Sequence, residues 1–323
     1  MKLIEDLIIK EEDFAKKMEG EILPFLNEHS KEGYITAKDG LKLHYRFMVN
    51  PKEEAAIVIS HGFCEFIPKY DELLYYFYEM GYSVFIIEHR GHGFSDRLVE
   101  GFSKVHVKHF EDYISDFNLF IEKIVIPESL TENLYLFAHS MGGGVGAMYL
   151  EKHPDVFKKA VLTSPMLQLK VNTSHKFLLA LVCKISGLPI INKLYLPGHH
   201  DYNSTYKYPR CSMMSKPRYD YVFNLREEEP HYRTSGATFG WGREAFNVYK
   251  KILKNAHLVK IPVILMQASQ DSLVAPEGQG KFSEAAANCK LIRFEGAKHE
   301  IFNATDDIIL EYYKTVFDFY KNP

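Results

Sequence analysis

Leu134-Tyr-Leu-Phe-Ala-His-Ser-Met-Gly-Gly-Gly-Val-Gly146 sets one serine, Ser140, between an apolar run and a cluster of glycines. The run Leu134–Ala138 predicts a buried strand, and Ala147-Met-Tyr-Leu-Glu-Lys152 predicts the helix after it. A serine displayed on a sharp strand-to-helix turn needs small residues two positions away on either side, and Ala138 and Gly142 meet that need. Gly143 and Gly144 are expected to let the new helix press against the sheet. A small-x-Ser-x-Gly pattern alone arises by chance in roughly one chain of this length in four, so the surroundings must decide.

Outward from this stretch, short apolar runs alternate with helix-length segments. The runs are Ala55–Ser60, Tyr82–Ile87, Leu134–Ala138, Ala160–Thr163, Val263–Ala268 and Lys290–Phe294. Helices are expected near 69–80, 110–125, 142–152, 277–287 and 304–321. Such alternation predicts an α/β fold whose mostly parallel sheet is covered by helices on both faces. Tyr34–Ala37 and Leu41–Val49 read as a hairpin around Asp39-Gly40. The rhythm breaks between Thr163 and Val263. This divides the chain into a helical, acidic arm (1–30), a core (31–165 and 255–323) and an inserted helical cap (166–254). Such an insertion lies over the edge of the sheet where open α/β folds bind ligands.

The chain has 323 residues, is 46% hydrophobic and 25% charged, and carries a net charge of −3, so nothing favours a nucleic-acid partner. Cys64, Cys183, Cys211 and Cys289 form no Cys-x-x-Cys pair, which argues against zinc and a disulfide framework and favours a reducing, cytoplasmic compartment. Met1–Lys10 holds too many acids for a secretory leader. The most apolar stretch, Phe177–Ile191, is interrupted by Lys184, Gly187 and Pro189 before it reaches spanning length.

A nucleophilic serine needs a base, and the base needs an orienting carboxylate. Asp271 follows the strand Val263–Ala268, and His299 follows the strand that ends at Phe294. Both fall on loops at C-terminal strand ends, in the chain order Ser, Asp, His that one such fold uses. His61-Gly-Phe-Cys-Glu65 begins where another strand ends, so the Phe63 and Met141 N–H groups are the expected oxyanion donors. Arg90-Gly-His-Gly-Phe-Ser95 lacks the Lys-Ser/Thr of a phosphate loop and reads as scaffolding.

His61-Gly62 with Glu65, Arg90-Gly-His92 and its continuation to Ser95, His139-Ser-Met-Gly-Gly143, Asp271 and Lys298-His299 together resemble the monoacylglycerol lipase and lysophospholipase branch of the α/β-hydrolases. The resemblance spans about residues 33–320. Gly236–Ala245 and the acidic arm resemble the bacterial lysophospholipase L2 group in particular. Ala138 stands where the general motif has glycine, and Phe63-Cys64 is bulkier than in many relatives. The resemblance implies a helical cap, a Ser140–His299–Asp271 triad, support from His61, Gly62, Glu65, Arg90, His92 and Gly142, and no metal or organic cofactor. It implies ester hydrolysis, with carboxylesterase, amidase and peptidase activities on non-lipid substrates as alternatives of the same chemistry, and a non-catalytic ligand-binding member of the same fold as a more remote one.

Within the cap, Phe177–Ile191 is expected to form an apolar entrance for one acyl chain or a transient membrane contact, the alternative being ordinary cap core. That favours small monoacyl lipid substrates, lysophospholipid before monoacylglycerol, and a cytoplasmic protein peripheral to the inner face of the membrane. Arg218, Arg226 and Arg233 are either surface arginines or partners of a phosphate headgroup. His199-His-Asp201 reads as a polar loop rather than a metal site. His139 is expected to be structural, Cys64 a small buried residue, and Glu227–Glu229 a solvated run.

Overall fold

The computed structural model describes residues 4–170 and 189–322. Its principal sheet has eight strands in the order β1-β2-β4-β3-β6-β7-β9-β10. These are β1 Lys31–Thr36, β2 Lys42–Met48, β3 Ala56–Ser60, β4 Ser83–Ile87, β6 Leu134–His139, β7 Lys159–Thr163, β9 Val263–Ala268 and β10 Cys289–Phe294. The hairpin β1–β2 forms around the expected turn, and β2 pairs antiparallel with β4; every later pairing is parallel.

The continuous apolar runs are explained by burial on both faces. Successive residues of β3 alternate between two cores. Ala56 and Val58 face one, with Val145, Met148 and Phe117; Ile57 and Ile59 face the other, with Tyr70, Leu73 and Phe317. The helices Glu111–Phe120, Ser140–Lys152 and Phe239–Asn255 cover the first face. Asp71–Glu79 and Asp306–Lys321 cover the second.

The arm (4–29) is helical and belongs to that second face. Leu7, Ile9, Phe14, Met18, Ile22 and Leu26 are all buried in it. The arm's sequence offers Ile22, Leu23, Phe25 and Leu26 as packing anchors; Ile22 and Leu26 are buried, whereas Leu23 and Phe25 are only partly covered. Further buried anchors lie earlier in the chain, Phe14 and Met18, in turn-by-turn spacing with Ile22.

The insertion between β7 and β9 is held by more than its own helices. Two short strands, β5 Lys104–Val105 and β8 Gly236–Ala237, pair parallel and tie the insertion to the loop after β4. Nothing in a two-residue strand has a readable period, so the sequence does not reveal this tie. Most of the apolar stretch Phe177–Ile191 lies outside the described residues, as does Cys183.

A second tie is ionic. Arg218, on the helix Lys216–Glu228, is 1% exposed and donates to both Glu72 carboxylate oxygens at 2.8 and 2.7 Å, and to the Ile9 carbonyl at 2.8 Å. One guanidinium thus joins the insertion, the helix Asp71–Glu79 and the arm. Truncating one member strands a buried charge. Arg218→Ala is expected to lower the unfolding free energy by about 3–5 kcal/mol, read from denaturant titration. A loss below about 1 kcal/mol, the range of an exposed pair, would show that this junction is not structural.

Candidate active site

β6 ends at His139 and the helix begins at Ser140 itself, which adopts φ 52°. A non-glycine residue in this left-handed region is strained by roughly 1–2 kcal/mol, and the strain lifts the hydroxyl clear of the sheet edge. What holds it there is close packing behind it. A Cβ added at Gly142 would stand 2.1 Å from the Ser60 carbonyl oxygen and 2.5 Å from that of His61. The first turn of the helix therefore lies against the end of β3, which brings Met141 alongside the segment that carries Phe63. Contact with the sheet falls to Gly142 and Gly146, not to Gly143 and Gly144. The latter two face Pro165 and Met166, after β7. The methyl of Ala138 fits because Gly146 opposite it has no side chain: a Cβ there would sit 3.1 Å away.

The loops after β9 and β10 are laced together. Ser269 N–H donates to the Phe294 carbonyl, Gln270 N–H to that of Ala297, and Gly296 N–H to the Ser269 hydroxyl. This lacing sets Asp271 against His299. His299 Nδ1 lies 2.6 Å from Asp271 Oδ2, and Nε2 lies 2.8 Å from Ser140 Oγ. Asp271 Oδ1 accepts the Leu273 and Val274 N–H groups at 2.8 and 3.0 Å. Burial pulls the Asp271 carboxyl upward, but the His299 bond and these two N–H groups outweigh it and hold the carboxyl below its ordinary value. The structure thus joins three residues that lie 28 to 159 positions apart.

His61 is fully buried, with Nε2 accepting from the His89 N–H at 2.9 Å and Nδ1 at 2.8 Å from the Gly62 carbonyl. Burial lowers its pKa, which agrees with a neutral ring donating from Nδ1. The His61 ring packs on His89 and His92. Arg90 does not reach the site; it forks onto Asp116 at 2.6 and 2.7 Å and also binds Asp39, fixing the loop that carries His92. The Phe63 ring packs on Trp241 with centroids 4.1 Å apart. Cys64 takes φ 60°, and burial pushes its thiol up to about 12, far from a thiolate. His139 Nδ1 lies 3.1 Å from the Thr163 carbonyl, its ring backs onto His299, and burial lowers its pKa to about 4.

Sequence reasoning missed what lies beneath. Lys69, 8% exposed, binds Glu65 at 2.6 Å and Glu300 at 2.8 Å. Glu65 also accepts the Gly62 N–H and the Tyr70 hydroxyl, and Glu300 accepts the Ser212 hydroxyl and Asn303 amide. Burial raises both carboxyls, but the Lys69 ammonium, helped at Glu65 by the Tyr70 hydroxyl, outweighs it, and both sit below their ordinary values. One ammonium therefore links the Gly62–Phe63 segment to the residue next to His299. The i,i+4 spacing of Glu65 and Lys69 was the available signal; Glu300 had none.

Ser140, His299, Phe63 and Glu65 line a cavity of about 430 Å³ whose far wall comes from the insertion, including His199, Tyr202, Lys207 and Arg226. His199 and Asp201 are engaged by the Ala237 N–H and the Tyr195 hydroxyl, and no cluster of three metal-ligating side chains occurs among the described residues. Glu227 accepts from Tyr202 and Glu229 from the His231 N–H, so this run is partly structural.

A mostly parallel eight-stranded sheet, with a strained serine after a central strand and its partners after later ones, is the architecture of the α/β-hydrolases. The family model described as "Serine aminopeptidase, S33" matches residues 51–306, and the chain belongs to that family. It is 27% identical over 311 residues to a probable lysophospholipase L2 of Haemophilus influenzae, covering 96% of this chain and 97% of that protein. It is 26% identical over 319 residues to lysophospholipase L2 of Escherichia coli K12, covering 97% and 93%. Among solved structures, a soluble variant of monoglyceride lipase from Saccharomyces cerevisiae, in complex with a substrate analog, overlays with TM-score 0.69 at 21% identity. That overlay covers 90% of this chain and 94% of the other.

The buried network gives a pH signature. Depressed carboxyl pKa values add stability that is present above the unfolded value, about 4.3 for Glu, and is lost as pH falls through the folded value. Wild type should therefore lose this contribution only in acid. In Lys69→Met the two buried carboxyls lose their cation, their pKa values rise above the unfolded one, and the sign reverses. That variant should become less stable as pH rises from 5 to about 8, measured by thermal melts across pH. A parallel pH profile for the two proteins would refute the network's role.

Proposed function

We propose that this chain is a serine hydrolase that cleaves the carboxylic ester of monoacyl lipids through an acyl-enzyme. The observation that carries the reading is the unbroken hydrogen-bonded series Ser140–His299–Asp271, with its serine in a strained conformation at the mouth of a cavity. Ser140 Oγ attacks the ester carbonyl while His299 Nε2 takes its proton. Asp271 holds the ring with its proton on Nδ1 and stabilises the imidazolium. Negative charge on the carbonyl oxygen develops toward the Phe63 and Met141 N–H groups and the positive end of the helix that starts at Ser140. His299 then protonates the leaving alcohol, and water, activated by the same ring, releases the fatty acid.

The substrate class rests on the names of relatives aligned over nearly the whole chain, the lysophospholipases L2 and the more distant monoglyceride lipases. We assign the insertion (166–254) as the cap. The family description names an aminopeptidase, but the cavity argues for an ester. Its only carboxylates among the described residues, Glu65 and Glu300, are both tied to Lys69, which leaves no free anion for a peptide's terminal ammonium. No helix among the described residues is long and apolar enough to cross a membrane. The substrate would then be met at a surface or as a dispersed monomer.

Ser140→Ala is expected to keep the fold, to lose fluorophosphonate labelling, and to lose ester hydrolysis by roughly four orders of magnitude or more. Asp271→Asn should cost roughly 10³–10⁴-fold in kcat with a smaller change in KM. Retained turnover in the serine variant would end the mechanism. A hydrolysis panel of lysophospholipids, monoacylglycerols, short nitrophenyl esters and a peptide amide tests the substrate: long-chain monoacyl lipids should lead. Faster turnover of the amide or of short polar esters would move the assignment to the alternatives.

A further inference from the structure

The three arginines that the insertion offers to an anion separate clearly in three dimensions. Arg218 is taken by Glu72, and Arg233 by the carbonyls of Arg226 and Glu227. Arg226 lines the cavity that holds Ser140 and His299. Its Nη2 donates to the Cys64 carbonyl at 2.6 Å, one residue beyond Phe63. The guanidinium lies over the rings of Phe66 and Tyr202, 5.6 and 6.0 Å from their centroids, and Phe66 is itself fully buried and stacked on Tyr232. The cation is thus fixed in place by one hydrogen bond and two aromatic faces.

Fixed as it is, Arg226 has no carboxylate partner among the described residues, and its Nε is buried without an acceptor. Lys207, exposed on the same wall, also lacks an ion-pair partner among the described residues. The carboxylates that share the cavity, Glu65 and Glu300, belong to the Lys69 network beside Ser140 and His299. The wall contributed by the insertion therefore presents unmatched positive charge, and a guanidinium offers several N–H donors suited to a phosphate.

We infer that Arg226 recognises the phosphate of a glycerophospholipid headgroup and makes the site selective for lysophospholipids over monoacylglycerols; this rests on the monoacyl-ester reading above. The spacing agrees. From acyl carbonyl carbon to phosphorus a 1-acyl glycerophospholipid has about six bonds, on the order of 7 Å when extended. A carbonyl whose oxygen meets the Phe63 N–H would carry its phosphate toward a guanidinium held at the very next residue.

The test measures kcat/KM on lysophosphatidylglycerol and on 1-monoacylglycerol of the same chain, in the same detergent, for wild type, Arg226→Gln and Arg226→Lys. Inhibition of nitrophenyl butyrate hydrolysis by glycerol 3-phosphate, inorganic phosphate and glycerol is measured alongside, with thermal melts to monitor folding. The lysophospholipid-to-monoacylglycerol ratio should fall roughly tenfold to a hundredfold in Arg226→Gln, mainly through KM, with partial retention in Arg226→Lys. Inhibition by glycerol 3-phosphate should weaken in step. An unchanged ratio while wild type turns over both lipids overturns the inference alone and leaves Arg226 as a support for the Cys64 segment. Equal inhibition by inorganic phosphate overturns the headgroup assignment in favour of a free-anion site. Wild type that cleaves the nitrophenyl ester but neither lipid overturns the monoacyl-lipid reading and the inference with it. Should Arg226→Gln fail to fold, the Arg226→Lys ratio decides.

Discussion

The first turn of the helix Ser140–Lys152 lies against the carbonyls of Ser60 and His61, an approach that only a hydrogen on the Gly142 Cα permits. From that contact the rest of the site follows. It holds Ser140 in a left-handed conformation worth roughly 1–2 kcal/mol of strain, with its hydroxyl raised above the C-terminal edge of the sheet. It sets the start of a helix, with its unpaired N–H groups, beside the loop after β3. The energy that sustains the strain comes from elsewhere, from strands buried on both faces and from the two cores that sandwich them.

Around this fixed point the fold assembles pieces from four strand ends. The loop after β3 supplies Phe63, β6 leads into Ser140, and the laced loops after β9 and β10 supply Asp271 and His299. Lys69 draws the first and last of these together by neutralising Glu65 and Glu300 at once. A single buried ammonium between two carboxylates is costly to desolvate, and it is tolerated because hydroxyl, amide and backbone donors satisfy the remaining carboxylate oxygens. The insertion is bound to this frame by Arg218, by the β5–β8 pair and by Arg226, which reaches the carbonyl of Cys64.

Particular elements show where the sequence could be read and where it could not. The strands were legible because residues covered on both faces must all be apolar, as in Val263–Ala268, where every residue is buried. The helix after Ser140 was legible, but its start was not. After Ser140 and Met141 its first turns carry glycines whose role is spatial, and only the fold assigns Gly142 and Gly146 to the sheet and Gly143 and Gly144 to Pro165 and Met166. The arm was legible as helical but not which of its residues join the core, since Phe14 and Met18 gain meaning only from the face they meet.

The sequence by itself determined the sheet, the order of the strands that carry chemistry, and the residue types proposed for it, because burial period and turn sterics are local constraints. The tertiary structure alone decided which charges meet. Arg218, Arg226 and Arg233 are indistinguishable along the chain, yet one is consumed by Glu72, one by backbone carbonyls, and one is left facing the cavity. Ion pairing depends on distances of a few ångströms between residues far apart in sequence, and those distances exist only once the chain has closed on itself.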